Sequence, residues 1–222
     1  MREGYHRTRD PIYSHRVRFY YFEMLGTAVF AITGVLAVTR RGLDVFGALV
    51  LGIVTALGGG TVRDLIIGAR PFWIDDFNYV WVAGGGALAA FWVGSVFSSA
   101  YRGLLYLDAL GAALFAVTAA NKVLLLHFSG PVAVTMGVLT GIGGGLIRDV
   151  LAGRPTLLMS REIYATPILL GCVAFVLLRN EAPDLPYAGA IGFAIIFGVR
   201  ALAIHRHLEM PAWLTLRDPP AR

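Results

Sequence analysis

The sequence is poor in charge and in cysteine. Asp, Glu, Lys and Arg make up 15% of its 222 residues, whereas 57% are hydrophobic; a soluble domain carries about 25% charged residues. This composition excludes an ordinary soluble domain, and the single cysteine, Cys172, excludes an internal disulfide. His205 and His207 are two residues apart, which is the wrong spacing for two ligands on one helix face. We therefore expect no metal site and no cofactor.

Lysine is almost absent. Lys122 is the only lysine, and the other side chains that are positively charged at pH 7 are arginines. The arginines lie at the ends of apolar segments and in the N-terminal tail rather than along one polar face. The net charge of +5 therefore indicates residues that flank a membrane, where basic side chains reach the headgroups, and not nucleic-acid binding.

Long apolar runs fill most of the chain, and each is long enough to cross a hydrocarbon core of about 30 Å. The first is not a cleaved signal peptide, because it contains Glu23 and its pattern recurs in the middle of the chain. We predict an all-α integral membrane protein with seven transmembrane helices, at residues 20–39, 43–68, 79–99, 104–126, 131–153, 162–179 and 186–204.

The chain contains an internal repeat with a shift of 85 residues. The segment at 23–38 aligns with 108–123, and the segment at 52–68 aligns without a gap with 137–153. Each unit spans three apolar runs, and an odd number of crossings inverts the second unit relative to the first. The predicted organisation is a basic tail (1–19), a first three-helix repeat (20–101), an inverted second repeat (102–180), a seventh helix (181–206) and a C-terminal tail (207–222).

Glycine triplets lie in the second and fifth apolar runs. Glycine in a helix interior costs about 1 kcal/mol relative to alanine, so three in succession predict that these helices are broken. Irregular backbone in a bilayer is tolerated where it is buried or lines a water-filled cavity, which predicts a polar pathway between the repeats. The alternative is that small residues let the helices pack closely. The triplets are Gly58, Gly59, Gly60, Gly143, Gly144 and Gly145.

Each triplet is followed by an Arg-Asp pair, and charges inside a membrane are usually functional. Neighbours in sequence do not face each other on a helix, so partners are expected elsewhere. We predict the ion pairs Glu23 with Arg63 and Asp108 with Arg148; a pair of Arg63 with Asp149 across the repeats is the less favoured alternative. The predicted pathway charges are Glu23, Arg63, Asp64, Asp108, Lys122, Arg148 and Asp149.

Lys122 lies inside an apolar run, on one helical stripe with Asp108. One interpretation is a charge that faces the pathway and tunes ion occupancy or responds to voltage; the other is a lysine that snorkels to the nearby interface beside His127. Ala37 stands at the matching place in the first repeat, so the pathway is expected to be electrically asymmetric. Oxygen ligands for a partly hydrated ion are expected from freed carbonyls and from Thr33, Thr55, Thr118 and Thr140.

The doubled GGG-x-x-RD motif, the acidic pair Glu23 and Asp108, and the three-plus-three-plus-one layout resemble the trimeric intracellular cation (TRIC) channels, in particular their prokaryotic members. The resemblance covers nearly the whole chain outside the tails. It implies a homotrimer with a pore in each protomer, passive conduction of monovalent cations, chiefly potassium, and a lysine associated with voltage response near Lys122. It also implies a prokaryotic plasma membrane, and the lipid bilayer and the chain's own copies are its expected partners.

The same motifs also resemble bacterial membrane proteins linked to glycine uptake. A secondary transporter of a small zwitterion would use the same inverted units but alternate access, whereas a channel needs a continuous pore. Such a transporter requires an unpaired charge for each end of its substrate, and the predicted ion pairs leave no free acidic group near the midplane. This favours the channel; a sealed structural protein is a third possibility, and no motif of an enzyme is present.

Overall fold

The structure, a computed structural model, describes residues 11–39, 41–94, 101–160, 162–183 and 185–211, with side chains from residue 19 onward. Regular structure in these ranges is helical, apart from one backbone bridge between Glu162 and Glu209, which confirms the all-α prediction. The α-helices described are α1 (Pro11–Leu36), α2 (Val45–Ile66), α3 (Phe72–Asp75), α4 (Asn78–Gly94), α5 (Tyr101–Leu125), α6 (Gly130–Leu151), α7 (Ala165–Glu181) and α8 (Ala188–Arg206). A 3-10 helix, Leu157–Met159, precedes α7.

The chain ends differ in part from the prediction. Within the described residues the first helix already runs from Pro11, ahead of the apolar run that starts at residue 20. Residues 1–10 of the predicted N-terminal tail lie outside the described residues, as does the predicted C-terminal tail beyond residue 211.

The glycine triplets do not break their helices, and the prediction of two discontinuous helices is wrong. Both α2 and α6 are continuous through 58–60 and 143–145. The reason lies in the relative magnitudes: three glycines cost about 3 kcal/mol of helix propensity, whereas each backbone group left unpaired in hydrocarbon costs several kcal/mol. Keeping the helix intact is therefore the cheaper solution, and it leaves no freed carbonyls at these positions.

The helix ends after the triplets are alike in the two halves of the chain. Gly68 ends α2 with φ +70°, and Gly153 ends α6 with φ +54°, a conformation that glycine adopts without strain. A short helix follows in each case, α3 after α2 and the 3-10 helix after α6. Their first residues, Phe72 and Leu157, are related by the same shift of 85 as the sequence repeat.

Among the described residues, five helices are long and apolar enough to cross a bilayer, namely residues 19–36 of α1 and the whole of α2, α5, α6 and α8. Of the other two long helices, α7 has 17 residues, or about 25 Å at 1.5 Å per residue, and 17 residues of α4 are described, up to Gly94. Seven crossings therefore remain a prediction, and the described helices indicate a multi-pass membrane protein. The exterior fits this setting, since Trp81 and Trp92 on α4 are 72% and 74% exposed.

The helices pack as two similar groups around a shared centre. Helix α1 packs against α2 and α4, and α5 packs against α6 and α7. The two groups meet where α1 contacts α5 and where α2 contacts α6, while α8 lies against α5 and α7. Helix α5 is consequently enclosed by neighbours on most sides, and nearly every residue from Asp108 to Asn121 is buried.

Candidate functional site

The crossing of α2 and α6 brings the backbones of the two triplets into contact. A Cβ added at Gly59 would lie 2.7 Å from the carbonyl oxygen of Thr140 and 3.0 Å from the amide nitrogen of Gly144. A Cβ at Gly144 would lie 2.6 Å from the carbonyl oxygen of Thr55. These glycines therefore permit close helix packing, which is the alternative interpretation of the triplets.

An aromatic pair packs beside this crossing. The rings of Phe30 on α1 and Phe115 on α5 stack with centroids 5.4 Å apart and planes inclined by 21°. Each ring fills the space over a glycine of the other helix, since a Cβ at Gly26 would meet Phe115 and one at Gly111 would meet Phe30. The two glycines are 85 residues apart and so are the two phenylalanines, so each half of the chain makes the same contact with the other half.

The first charge cluster is centred on Asp64, near the end of α2. Its carboxylate accepts hydrogen bonds from Arg63 Nε at 2.8 Å, from Lys122 Nζ at 2.9 Å to each oxygen, and from the backbone N–H of Phe72 at 2.9 Å. Asp64 is fully buried, whereas the Lys122 side chain is 28% exposed. The expectation that Arg63 cannot pair with its neighbour is wrong, because the long arginine side chain bends back to the adjacent carboxylate.

Glu23 does not pair with Arg63, so that predicted ion pair is wrong. Its carboxylate instead accepts a hydrogen bond of 2.7 Å from the hydroxyl of Tyr79 on α4. Arg63 pairs with Asp64 and lies over the ring of Phe72, with its Cζ 5.8 Å from the ring centroid. A buried arginine thus gains its partners within its own half of the chain.

The second charge cluster repeats the first with one more acid. Asp149 accepts hydrogen bonds from Arg148 Nε at 2.9 Å and from the backbone N–H of Leu157 at 3.2 Å. The predicted pair of Asp108 with Arg148 is present, with Arg148 Nη1 2.8 Å from Asp108 Oδ1. All three charged side chains are almost fully buried, and Arg63 is engaged by Asp64 rather than by Asp149.

Lys122 reaches from α5, in the second half of the chain, to Asp64 in the first half. Its ammonium binds both oxygens of a buried carboxylate, so it does not snorkel away to the interface. At the matching position in the first half, Ala37 has no side-chain charge, and its carbonyl oxygen accepts a hydrogen bond of 3.3 Å from Arg154. The two clusters are therefore electrically unequal.

The four candidate threonines are buried, and each hydroxyl donates to a carbonyl of its own helix three or four residues earlier. This pattern is common for threonine inside a helix. The hydroxyl oxygens keep lone pairs that can accept, but their protons are used within the helices. These residues are Thr33, Thr55, Thr118 and Thr140.

Three residues of the clusters were not anticipated from the sequence. Tyr79 and Tyr164 are related by the shift of 85, so extending the repeat alignment would have found them. Arg200 on α8 is fully buried, with its Cζ 4.6 Å from the ring centroid of Tyr164. It lies outside the repeats, and a lone arginine near a helix end gave no signal. Among the described residues, no three His, Cys, Asp or Glu side chains converge as a metal site would require.

The apolar helices and buried charge clusters define a multi-pass α-helical membrane protein. A family model described as "Glycine transporter" matches residues 20–95 and 105–180. The chain is 40% identical over 202 residues to a UPF0126 membrane protein of Vibrio cholerae, covering 87% of this chain and 82% of that one. It is 38% identical over 197 residues to the UPF0126 inner membrane protein YadS of Escherichia coli K12, covering 87% of this chain and 95% of the other.

Solved structures of TRIC channels are also similar to this chain over most of its length. The TRIC trimeric intracellular cation channel orthologue from Rhodobacter sphaeroides is 39% identical, with a TM-score of 0.82 over 86% of this chain and 98% of that chain. A second solved structure, described as the structural basis for conductance through TRIC cation channels, is 31% identical to this chain. Its TM-score is 0.80, and the match covers 91% of this chain and 99% of that chain. The chain therefore belongs to the family of UPF0126 membrane proteins and prokaryotic TRIC channels, and it is a multi-pass protein of the bacterial inner membrane.

Proposed function

We propose that the chain forms a passive channel for monovalent cations, chiefly potassium, with a pore inside each protomer of a homotrimer. The proposal is supported by similarity to solved cation channels over 86% of the chain. The observation that carries it is the bond from Lys122 to Asp64, because it joins the two halves of the chain at a buried site through a side chain that is partly exposed. We place the conduction path along this contact.

The proposal includes seven membrane crossings and two inverted repeats of three. It is supported by the hydrogen bonds and ring contacts that recur at a spacing of 85 residues, and by the two matched stretches of the family model. Three crossings in each unit reverse the direction of the next unit, and transport proteins built in this way keep their pathway at the interface between the units. The crossing of α2 and α6 lies at that interface but is closed by the close backbone contact at the triplets, so the proposed path runs at the Lys122–Asp64 contact instead.

Lys122 is the part of the pathway that can move. If its ammonium withdraws, Asp64 keeps the hydrogen bonds from Arg63 and from the N–H of Phe72, so the carboxylate is not left uncompensated. One elementary charge that crosses the whole membrane field gains about 2.3 kcal/mol per 100 mV. A voltage can therefore bias Lys122 between the Asp64 carboxylate and the exposed side of the site. The vacated carboxylate would then attract a cation.

Recordings from the purified protein in planar bilayers test this proposal. We expect unitary currents whose reversal potential follows the potassium gradient, and Lys122→Gln should change their voltage dependence. Arg70→Gln is the matched control, since Arg70 forms an ion pair at the surface and is 74% exposed; it should leave the currents unchanged. Protein that reconstitutes as a folded species without unitary cation currents would contradict the channel.

A second candidate, a transporter of a small zwitterion, is favoured by the description of the matching family model. It predicts uptake of labelled glycine into proteoliposomes against its gradient, driven by an ion gradient, without unitary currents. The same preparation serves both assays. Uptake without currents would put the transporter first, and currents without uptake would exclude it.

A further inference from the structure

A small apolar cluster lies at the end of the helix bundle that is opposite to the Lys122–Asp64 bond. It is separate from the main core, and each of its members is at most 8% exposed. It joins the end of α1, the second turn of α2, the first turn of α5 and the end of α6. We call it the end cluster, and its members are Ala37, Val38, Leu51, Leu104 and Ala152.

The helices α2 and α5 show that the end cluster and the Lys122–Asp64 bond are far apart. Lys122 and Asp64 lie near the C-terminal ends of α5 and α2, whereas Leu104 and Leu51 lie near the N-terminal ends of the same helices. Leu104 and Lys122 are about 27 Å apart along α5, at about 1.5 Å per residue. This separation is close to the thickness of a hydrocarbon core, about 30 Å.

Two arginines link the halves of the chain beside the end cluster, and they do so reciprocally. Arg41, which follows α1, donates from Nη2 to the carbonyl oxygen of Gly153 at 3.1 Å. Arg154, which follows α6, donates from Nη1 to the carbonyl oxygen of Ala37 at 3.3 Å. Each half of the chain therefore supplies both a donor and an acceptor. We call Arg41 and Arg154 the arginine pair.

Arg154 contacts two of the helices that form the end cluster. Its acceptor, Ala37, is a member of the end cluster. Its guanidinium also lies over the ring of Tyr101, with Cζ 5.6 Å from the ring centroid, which is within the range of a cation–π contact. Tyr101 is one turn before Leu104 in α5. Arg154 therefore holds the end of α6 against both α1 and α5.

The internal repeat relates this contact to the Lys122–Asp64 bond. Ala37 and Lys122 are 85 residues apart and occupy matching places in the two halves. Lys122 donates to Asp64, near the end of α2, and Ala37 accepts from Arg154, just after the end of α6. In both cases the last turn of one helix is bonded to the other half of the chain. The two ends of the bundle are therefore closed by related contacts, with donor and acceptor exchanged.

We propose that the end cluster and the arginine pair form a second gate, closed in this structure, at the end of the pathway opposite to Lys122. A hydrophobic constriction blocks ions because water leaves it, and the end cluster joins the four helices through which the two halves meet. Arg41 is exposed and Arg154 is half-buried, so water can replace both carbonyl acceptors when the gate opens. The inference rests on the proposed channel, because it locates a barrier that the conducted ion must pass.

Thiol labelling of the full chain in phosphatidylcholine nanodiscs tests the gate without requiring a current. Ala152→Cys places a thiol in the end cluster, where a small cationic methanethiosulfonate reagent should react slowly. Adding Arg41→Met and Arg154→Met removes the donors but keeps apolar side chains. Labelling should then become faster by about tenfold or more, because two hydrogen bonds from charged donors are lost. Mass spectrometry counts the labels, and the fully buried Cys172 should stay unlabelled.

Three further variants separate the gate from a general loss of stability. Arg70→Met removes an arginine that is 74% exposed beyond the other end of α2, and it should leave the labelling rate unchanged. Arg154→Lys keeps a long donor that can reach one carbonyl oxygen, so it should label almost as slowly as the unaltered arginine. Arg41→Met alone changes an exposed side chain, so it tests the gate even if the double variant does not fold.

Recordings in planar bilayers give a second readout. Removing both Arg41 and Arg154 should raise the open probability at every voltage, whereas Lys122→Gln should alter the voltage dependence. Faster labelling without currents from the unaltered protein would refute the channel but support the closed end. Equal labelling rates with and without the arginine pair, equal acceleration by Arg70→Met, or labelling of Cys172 in the variants would overturn the gate.

Discussion

The stability of a Gly→Ala variant should distinguish a glycine at which two helices are in close contact from a glycine beside which there is free space. At Gly59 the new Cβ would lie 2.7 Å from the Thr140 carbonyl oxygen and 3.0 Å from the Gly144 nitrogen. Both are backbone atoms of α6 and cannot rotate away. At Gly85, on α4, a Cβ meets nothing within 4 Å. We therefore compare Gly59→Ala with Gly85→Ala.

The magnitudes follow from two opposing effects. Alanine in place of glycine favours a helix by about 1 kcal/mol, and this gain applies to both variants. Overpacking costs about 1–3 kcal/mol, toward the upper end where backbone must move, and this cost applies to Gly59→Ala. The expected net change is thus a loss of about 2 kcal/mol for Gly59→Ala. For Gly85→Ala we expect a gain of about 1 kcal/mol.

The assay is thermal unfolding of the purified protein in detergent, followed by circular dichroism. At about 2–4 °C per kcal/mol for a chain of this size, Tm should fall by several degrees for Gly59→Ala and rise by a few degrees for Gly85→Ala. If Gly59→Ala were as stable as Gly85→Ala, the close contact between α2 and α6 would not exist. The explanation of the triplets by packing would then be refuted.

Further predictions concern the buried polar contacts. Tyr79→Phe removes the 2.7 Å hydrogen bond to Glu23 and should cost about 1.5–3 kcal/mol, since the acceptor is charged; Tm measures the loss. Arg148→Gln removes the bonded cation of both Asp108 and Asp149 and should cost about 3–5 kcal/mol. Asp108→Asn leaves Arg148 paired with Asp149 and should cost less, and the double variant should lose less than the sum of the two. Cys172 is fully buried, so a maleimide should label it after unfolding in detergent but not before; labelling of the folded protein would contradict its position.

The sequence predicted the all-helical fold because apolar length and an internal repeat are local properties that need no knowledge of packing. The repeat extends beyond the aligned segments. Tyr79 and Tyr164 are separated by the same 85 residues, as are Phe72 and Leu157. The pair of Asp108 with Arg148 followed from placing two buried charges of opposite sign at the same end of adjacent helices. These predictions depend on position along the chain.

The broken helices were predicted wrongly because the argument considered each helix in isolation. The pair of Glu23 with Arg63 was wrong although the same argument found Asp108 with Arg148, since the Glu23 carboxylate instead accepts a hydrogen bond from Tyr79. Helix propensity penalises the triplets, but the contact between α2 and α6 requires residues without a Cβ. Helical geometry separates neighbouring Cβ atoms, yet a long side chain near a helix end can still bend onto its neighbour, as Arg63 does on Asp64. Arg200 was missed because its partners come from elements far away in sequence.

Each charge cluster contains one positively charged side chain besides its Arg-Asp pair, and the two clusters differ in the helix that supplies this side chain. The difference determines which part of the protein must move when that charge moves. In the first cluster the cation is Lys122, partly exposed and bonded to Asp64. In the second it is Arg200, fully buried, 3.8 Å from Asp108 and bonded to a backbone carbonyl. Motion of Lys122 requires only a side chain to change position, whereas motion of Arg200 requires α8 or its loop contacts to move. Under the proposed function, the first cluster is therefore the one whose additional charge a change of voltage can move.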